Sequence, residues 1–418
     1  MLTYLHNIGL LLNPEAEGNW EEIPNAAVLF DHEIRLVGAE AQIRAQLHNA
    51  AFKQIDAGGG LVTPGLVDSH THPAFAEPRA AEFELRNQGR SYQEIAAAGG
   101  GIRSSVRSLQ AISEDDLVLC MLPRLDQFLL YGTTTIEAKS GYGLSTENEI
   151  KQLRAIRRCQ QIHPLDLVST LLAAHEIPDE YRQNRERYLD VVVDEIIPAV
   201  AEEKLAVFCD AFCEEGVFSV EESRLVLETG KRYGLTPKIH ADQLSRTGGA
   251  ELAAELGAAS ADHLDYVSDS GIERMVQAGV VFGILPGAVI FLGLHRYPPV
   301  RRILEKGGSL ALATDFNPGS SATQNLPLMM TLACVFGKLT AREALWAATR
   351  GGARSLRLED SVGSLDSGKR ADLVIWNCVD DRLIPYFFGM NLVKHVIKNG
   401  SQVIQNGQVV HSDTYDHK

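Results

Sequence analysis

Short apolar runs alternate with segments of helical periodicity from about residue 61 to about residue 350. Helices are predicted over six segments, at 113–131, 146–161, 219–233, 247–256, 270–278 and 340–356. Strands are predicted in the runs between them, TTTIEAK, DLVSTLLAAH, LAVFCDAFCE, TPKIHAD, ASADHL, VVFGILPG and SLALATD. This alternation is typical of a parallel sheet, and about eight repeats predict an α/β fold in the form of a closed (β/α)8 TIM-type barrel.

Both ends of the chain have a different texture. Residues 1–60 alternate strand-like runs such as AAVLF and EIRLVG with turns, and the runs HVIKNG and QVIQNGQVV after residue 363 end in Asn-Gly turns. We therefore predict a small β-sandwich-like domain built from both termini. It takes residues 1–60 and 356–418, while residues 61–355 form the barrel.

The segment LVTPGLVDSHTHPAF, residues 61–75, places two histidines two positions apart after an apolar run. The run is typical of a short buried strand, on which Asp68, His70 and His72 would point to the same side. Two imidazoles placed in this way can bind one metal ion. The alternative is a pair of surface histidines at the end of a strand.

Further polar residues end other apolar runs, which is where barrel enzymes carry their chemistry. The six that share this position are His70, His72, His175, His240, His263 and Asp315. Histidine and carboxylate ligands suit zinc or iron (Fe2+ or Fe3+) in a hydrolytic site that keeps one position for water. We predict one divalent metal ion held by His70, His72, His240 and Asp315, although each residue taken alone could equally be structural.

Composition narrows the function classes. The 418 residues are 45% hydrophobic and 22% charged, as in a folded soluble protein, and the net charge of −15 argues against nucleic acid or an anionic membrane as partner. We find no signal peptide and no apolar run long enough for a membrane span. The six scattered cysteines indicate reduced thiols in the cytoplasm. Cys209 and Cys213 could bind metal, but packing is the favoured role.

Longer motifs carry a family resemblance. HTHPAF, EFELRNQG, EAKSGYGLSTE, HADQ, SADHLDY and ATDFNPGSS resemble the amidohydrolase superfamily and, within it, the imidazolonepropionase family, over nearly the whole chain. The resemblance implies a metal-dependent hydrolase of histidine degradation. Its metal-activated water would open the ring amide of 4-imidazolone-5-propanoate to give N-formimidoyl-L-glutamate. The resemblance also suggests a homodimer.

The same resemblance suggests which residues bind the substrate. Arg79 would clamp the propanoate through two parallel hydrogen bonds, unless it is an ordinary surface arginine. Tyr142, between two glycines, would lie on a flexible loop against the substrate, unless it is simply a half-buried tyrosine. Tyr92 is a weaker candidate. Asn317, Gly319 and Ser320 would line the floor of the pocket beside Asp315 or would merely form a turn.

Catalytic roles follow in the same way. His175 would hydrogen-bond the ring carbonyl and stabilise the oxyanion, and Asp315 or His263 would move the proton from water to the departing nitrogen. Some relatives carry a glutamate where this chain has Gln243. A neutral amide cannot be a general base, so Gln243 is expected to orient substrate or water.

Several alternatives stay open on sequence alone. Many relatives bridge two metals with a carbamylated lysine, and Lys139 has a suitable position, although the imidazolonepropionase motifs favour one metal. Glu137 would support the metal ligands or form an ion pair with Lys139. The rival functions are another cyclic amidase or aminohydrolase of this superfamily, and an inactive barrel that serves as a binding protein.

Overall fold

A computed structural model describes residues 2–47, 52–90, 94 and 99–410. Tyr92 lies outside these residues. The described chain forms two nine-stranded sheets with helices packed between and around them. The strands are β1 (Thr3–Pro14), β2 (Trp20–Phe30), β3 (Ile34–Ala39), β4 (Lys53–Asp56), β5 (Leu61–Pro64), β6 (Leu66–Asp68), β7 (Thr133–Lys139), β8 (Asp166–Ala174), β9 (Phe208–Cys213), β10 (Thr236–Pro237), β11 (Ile239–Ala241), β12 (Ser260–His263), β13 (Val281–Ile284), β14 (Leu310–Leu312), β15 (Leu373–Trp376), β16 (Val393–Lys398), β17 (Ser401–Gln405) and β18 (Gln408–Val409).

Most helices connect successive strands of the second sheet, whereas Glu40–Gln46 and Leu383–Tyr386 lie between strands of the first. The α-helices span Glu40–Gln46, Ala80–Asn87, Ile102–Ala111, Glu114–Leu130, Thr146–Ile162, Arg185–Asp190, Ile197–Glu202, Val220–Arg232, Gly249–Leu256, Asp269–Ala278, Pro286–Phe291, Val300–Glu305, Leu326–Gly337, Ala341–Trp346, Gly352–Ser355 and Leu383–Tyr386. Short 3-10 turns occupy Ala16–Gly18 and Asp179–Tyr181, and π-helical segments occupy Val191–Ile196 and Ala347–Gly351. Within the described ranges, no helix combines the length and the apolar character needed to cross a bilayer.

Eight parallel strands form the predicted barrel, in the order β6, β7, β8, β9, β11, β12, β13 and β14, with the short β10 beside β9. Backbone hydrogen bonds just beyond β6 and β14 close it. The amide of Asp315 donates to the carbonyl of His70 over 3.1 Å, and the amide of His72 donates to the carbonyl of Phe316 over 2.8 Å. Closure therefore brings the first histidine pair and Asp315 to one point of the barrel rim.

The other sheet combines both ends of the chain, as predicted. Its order is β18, β17, β16, β15, β5, β1, β2 and β3, with β4 paired to β1. The run 61–67, which we expected to form one strand, forms two, because the strand is interrupted at Pro64 and Gly65. Strand β5 joins the mixed sheet by pairing with β1 and β15, and β6 begins the barrel. The division of the chain at residues 60 and 355 stays a prediction.

All six predicted helices form, with ends within a few residues of the predicted ones. Caps account for several starts: Ser113, Ser145 and Ser219 each accept a hydrogen bond from a backbone amide in the first turn. The pattern did not indicate the helix Leu326–Gly337, most of whose residues are buried. A helix that is apolar on every side has no period to detect.

Candidate active site

A cavity of about 480 Å³ opens at the carboxyl ends of the barrel strands. Its walls contain eleven of the residues that the sequence singled out, namely His72, Arg79, Tyr142, His175, His240, Gln243, His263, Asp315, Asn317, Gly319 and Ser320. His70 lies directly behind His72, with the two rings 5.3 Å apart. The structure thus brings eleven predicted site residues to one pocket, with His70 next to it and Tyr92 outside the described residues.

The four predicted metal ligands converge. Nε2 of His70 lies 3.4 Å from Nε2 of His72, and Oδ1 of Asp315 lies 3.6 Å from the first nitrogen and 3.5 Å from the second. Ligand nitrogens of His70, His72 and His240 all lie within 4.8 Å of one another. All four residues are buried. This donor set is one that zinc or iron would accept.

Two buried aspartates fix which nitrogen of the histidines faces this point. Nδ1 of His70 lies 2.7 Å from Oδ2 of Asp262, and Nδ1 of His240 lies 3.1 Å from Oδ2 of Asp210. The Asp262 carboxylate only accepts, so Nδ1 of His70 carries the proton and its Nε2 presents a lone pair. Nδ1 of His240 faces Asp210 at ion-pair distance without hydrogen-bond geometry. A lone pair on Nε2 of His70 and the nearby carboxyl group of Asp315 are donors that suit a metal ion, so the residues fit one.

Burial sets the charge states of this group. Burial lowers the pKa of His70 and of His72 well below the usual range, which keeps both rings neutral and able to bind metal. Burial also raises the pKa of Asp315 to about 7 in the ion-free site. A bound cation would favour the carboxylate instead.

A buried ion-pair network supports the aspartates. Lys139 Nζ lies 2.6 Å from Asp210 Oδ2 and 2.9 Å from Glu137 Oε1, and Lys238 Nζ lies 2.7 Å from Glu137 Oε2. The ammonium of Lys139 is therefore held by two carboxylates. Of the two roles considered for Glu137, the ion pair with Lys139 is present. Sequence reasoning missed Asp210, Asp262 and Lys238. Their signal was a charged residue inside the apolar runs LAVFCDAFCE, ASADHL and TPKIHAD.

Two site residues have a backbone conformation that side-chain-bearing residues seldom adopt. His263 has φ 77° and Asp315 has φ 53°, both in the left-handed region. Such strain is maintained only where the surrounding structure imposes it, and it is common at functional sites. It turns both side chains towards the pocket, where the ring of His263 lies 5.3 Å from that of His240.

The predicted carboxylate clamp lies at the pocket wall. The side chain of Arg79 is about 10% exposed, and its Nε has no hydrogen-bond partner among the described residues. Glu82 is its nearest acid, with Oε2 3.8 Å from Nε. An almost buried guanidinium with an unsatisfied donor is suited to bind an anionic ligand.

Tyr142 is buried, not half-buried, and the backbone amides of its loop are hydrogen-bonded. The carboxylate of Glu149 accepts hydrogen bonds from the amides of Gly141, Gly143 and Leu144, over 3.2, 2.8 and 2.9 Å. Burial raises the pKa of Tyr142, which keeps the hydroxyl protonated. Glu149, in the first turn of the next helix, thus satisfies the loop amides, and the flexibility of the loop stays a prediction.

His175 stacks on His72, with ring centroids 5.4 Å apart and planes at 17°. Its Nδ1 lies 2.9 Å from the carbonyl oxygen of Gly141. A carbonyl only accepts, so Nδ1 carries the proton and Nε2 is the nitrogen left for a ligand. The neutral ring therefore offers a lone pair at Nε2, and donation from this atom requires a second proton.

The segment after Asp315 is organised by Asn317. The amides of Gly319 and Ser320 each donate to Asn317 Oδ1 over 2.8 Å, while Asn317 Nδ2 donates to the Asp315 carbonyl over 2.7 Å. Ser320 Oγ lies 3.3 Å from Asp315 Oδ2. Asn317, Gly319 and Ser320 therefore form the turn that was the alternative to a pocket-lining role, and they line the pocket as well. Contact of these three residues with substrate stays a prediction.

Two other predictions concern Gln243 and the pair Cys209 and Cys213. The amide of Gln243 donates to Glu214 Oε2 over 3.1 Å, which fixes the backbone while the side chain lines the pocket. Cys209 and Cys213 are buried, and the groups with metal-binding geometry among the described residues contain only histidine and acidic side chains. Packing accounts for the two thiols.

Comparison with solved structures supports the fold. A zinc-bound adenosine deaminase from Xanthomonas campestris superposes with a TM-score of 0.74 at 17% identity, covering 99% of this chain and 95% of the other. Guanine deaminase of E. coli gives a TM-score of 0.69 at 16% identity, covering 97% and 100%. At this identity the likeness concerns the fold alone.

Sequence comparison is more specific. A profile of the amidohydrolase family matches residues 106–410. The imidazolonepropionase of Brevibacillus brevis is 47% identical over 385 residues, 91% of this chain and 90% of the relative. Those of Myxococcus xanthus and Geobacillus kaustophilus are 47% and 50% identical, covering 90% and 86% of this chain and 90% and 85% of the relatives. With the site geometry, these matches show that the chain belongs to the imidazolonepropionase family of amidohydrolases.

Proposed function

We propose that this chain hydrolyses the ring amide of 4-imidazolone-5-propanoate to N-formimidoyl-L-glutamate. One observation carries the proposal: His72, His240 and Asp315, which converge with His70, line the same pocket as Arg79, whose Nε is unsatisfied. The first group suits hydrolysis of an amide. The guanidinium suits the propanoate of the substrate.

We assign one divalent ion, zinc or iron, to those three histidines and Asp315. When bound, such an ion lowers the pKa of a coordinated water to about 7 and so supplies a nucleophile near neutral pH. Asp262 and Asp210 hold the rings of His70 and His240 in the orientation that binding requires.

The other side chains bind substrate and move protons. Arg79 orients the propanoate, while Tyr142, Gln243 and the turn Asn317–Gly319–Ser320 enclose the ring. Asp315 or His263 takes the proton of the attacking water and returns it to the ring nitrogen as the carbon–nitrogen bond breaks. His175 is assigned to the ring carbonyl. The Gly141 carbonyl accepts its Nδ1 proton and burial lowers the pKa of the ring to about 3, so Nε2 can donate to the oxygen only after the ring takes up a second proton during the reaction.

The test is an assay with synthetic 4-imidazolone-5-propanoate on purified protein of measured metal content. We expect loss of the imidazolone absorbance with formation of N-formimidoyl-L-glutamate. Turnover of another cyclic amide or an amino-substituted ring, with none of this substrate, would favour a different amidohydrolase. Protein that is replete with metal and inactive on every ring would favour a binding protein.

Three further features are proposed with this function. The cytoplasm is the proposed location because six cysteines without disulfide partners suit a reducing compartment. A homodimer is proposed by analogy with the family, and light scattering on the purified protein tests it. The negative net charge supports a small-molecule substrate rather than nucleic acid as the partner.

A further inference from the structure

A second group of potential cation ligands lies directly behind the candidate metal site. One ligand atom each from His70, Glu137 and Asp262 lie within 4.8 Å of one another, and all three residues are buried. This group already contains a positive charge. Lys238 Nζ lies 2.7 Å from Glu137 Oε2 and 3.8 Å from Asp262 Oδ2, and it donates to the carbonyl of Ser69 over 2.9 Å.

A second ammonium lies on the other side of Glu137. Lys139 Nζ is 2.9 Å from Glu137 Oε1 and 2.6 Å from Asp210 Oδ2. Glu137 thus contacts both lysines, and each lysine contacts one of the aspartates that orient a metal-facing histidine: Lys238 contacts Asp262, and Lys139 contacts Asp210. Glu137 is the centre of the network, and the Lys139–Asp210 contact of 2.6 Å is closer than the Lys238–Asp262 contact of 3.8 Å.

The charges in this network depend on one another. The side chains of the two lysines and three carboxylates are at most 1% exposed. Charges buried to this extent have to be paired, because desolvation costs several kcal/mol per ion. Burial alone would disfavour the charged form of Lys139, but Asp210 and Glu137 outweigh it and raise its pKa, so the ammonium persists. A metal ion bound by Glu137 and Asp262 would lie beside these positive charges in a low-dielectric interior, where like charges repel strongly.

We propose that Lys139 and Lys238 take the place of a second cation, restricting the centre to one metal ion and positioning His240 and His70 through Asp210 and Asp262. The inference rests on the proposed function in one respect only, namely that the first site binds a metal ion. Both lysines are positioning residues, since each acts through a carboxylate and neither reaches the pocket wall.

The experiment counts zinc per chain at saturation and measures the affinity of the bound ion. The wild-type chain should hold one ion. Lys238→Met leaves Glu137 and Asp262 without their cation, so we expect a second, weaker zinc per chain and a loss of affinity at the first site of about 10- to 100-fold. The double variant Lys238→Met with Glu137→Gln removes a ligand of the second ion and should return to one ion per chain.

Lys398 offers a matched control. It is a buried lysine whose Nζ lies 2.7 Å from both Asp166 Oδ2 and Asp372 Oδ2, in the mixed sheet. Lys398→Met should lower stability and leave the zinc count and affinity unchanged. Lys139→Met provides a second variant of the network, with the larger effect expected on binding through His240.

Two results would overturn the inference: two ions in the wild-type chain, or one ion of unchanged affinity in folded Lys238→Met and Lys139→Met. If neither variant folds even with excess zinc, the wild-type count decides, with one ion in support and two against. Failure of the proposed function is separate, because it would show as wild-type protein that binds no ion or hydrolyses no imidazolone. An active enzyme with two ions would refute only the inference.

Discussion

Gly319 and Arg79 are packed so closely that a Cβ atom at position 319 would lie 1.1 Å from Nη2 of Arg79. The carbonyl of Gly319 in turn accepts a hydrogen bond from Arg86 Nη1 over 2.8 Å. The turn after Asp315 therefore forms the surface against which the guanidinium lies.

Gly319→Ala should displace the guanidinium of Arg79, because a methyl group cannot share its space. We expect KM for the propanoate substrate to rise by roughly 10-fold or more, with a smaller change in kcat, since the group that binds the carboxylate moves while the metal ligands stay. Steady-state kinetics measure both. Gly38→Ala, whose Cβ would meet its first neighbour at 3.9 Å, is the control and should behave as wild type. An unchanged KM in Gly319→Ala would show that Arg79 does not bind the acid.

Arg79→Ala removes the clamp itself. Loss of a charge-assisted pair of hydrogen bonds costs about 3 kcal/mol, which corresponds to roughly 100-fold weaker binding of the propanoate substrate. The affinity of Arg79→Lys for this substrate should lie between those of the wild type and Arg79→Ala, because an ammonium cannot form two parallel hydrogen bonds. Binding of an imidazolone without the acid should change little in either variant. Equal losses for both ligands would refute the clamp.

Removal of metal should abolish hydrolysis and lower the thermal midpoint, and zinc or iron should restore both. An ion present at about 1,000 times its dissociation constant stabilises the folded state by about 4 kcal/mol. His72→Ala should lose this response, since its Nε2 belongs to the converging group. His395→Ala, at a buried histidine of the mixed sheet that accepts from the amide of Asn406 over 3.2 Å, should retain it. A midpoint insensitive to chelation would contradict the ligand assignment.

Gly283→Ala tests the support behind the metal ligands. A Cβ at this position would lie 2.1 Å from Oδ1 of Asp262, on the neighbouring barrel strand. We expect Asp262 to shift and to release Nδ1 of His70, which should lower metal affinity by about 10-fold. Competition with a chelator of known affinity measures this. KM at saturating metal should stay close to wild type, because Gly283 does not line the pocket.

Asp265 gives a pH-dependent prediction. Burial raises its pKa to about 8, and its Oδ1 has no partner among the described residues. A folded-state pKa above the unfolded value of about 3.9 means that stability is lost as the pH rises towards 8. From pH 5.5 to pH 8.5 the wild type should thus lose on the order of 3 kcal/mol in free energy of unfolding that Asp265→Asn does not lose. Urea unfolding at both pH values measures the difference, and the exposed Asp115→Asn should show none.

Sequence reasoning succeeded where local pattern and topology agree. His70, His72, His240 and Asp315 each follow an apolar run, and a closed parallel barrel brings the ends of such runs together whatever the loops between them. The same reasoning predicted six helices from their periodicity. Most of those it missed are short, and Leu326–Gly337 is buried on most sides. Ile102–Ala111 is neither, since it buries only Ser105, Val106 and Leu109, and its helical pattern was overlooked.

The remainder depends on contacts that no local pattern encodes. The pairing of Lys238 with Glu137, and of Asp262 with His70, arises between strands that are distant in the chain. The break at Pro64 and Gly65 was visible, but only the pairing of β5 with β15 shows that the strand changes sheets there. The position of Glu149 near the start of a helix was predictable from the sequence. Its hydrogen bonds to three backbone amides were not, because they depend on how the Tyr142 loop folds back.

The two backbone hydrogen bonds between His70 and Asp315 and between His72 and Phe316 close the barrel at the same place where the metal ligands meet. The seam of the fold and the reactive centre are thus one location. A nascent chain cannot assemble this centre until the last barrel strand has been synthesised and has docked beside the first. A bound metal ion would then link the first and last barrel strands, so that occupancy of the site indicates that the barrel has closed.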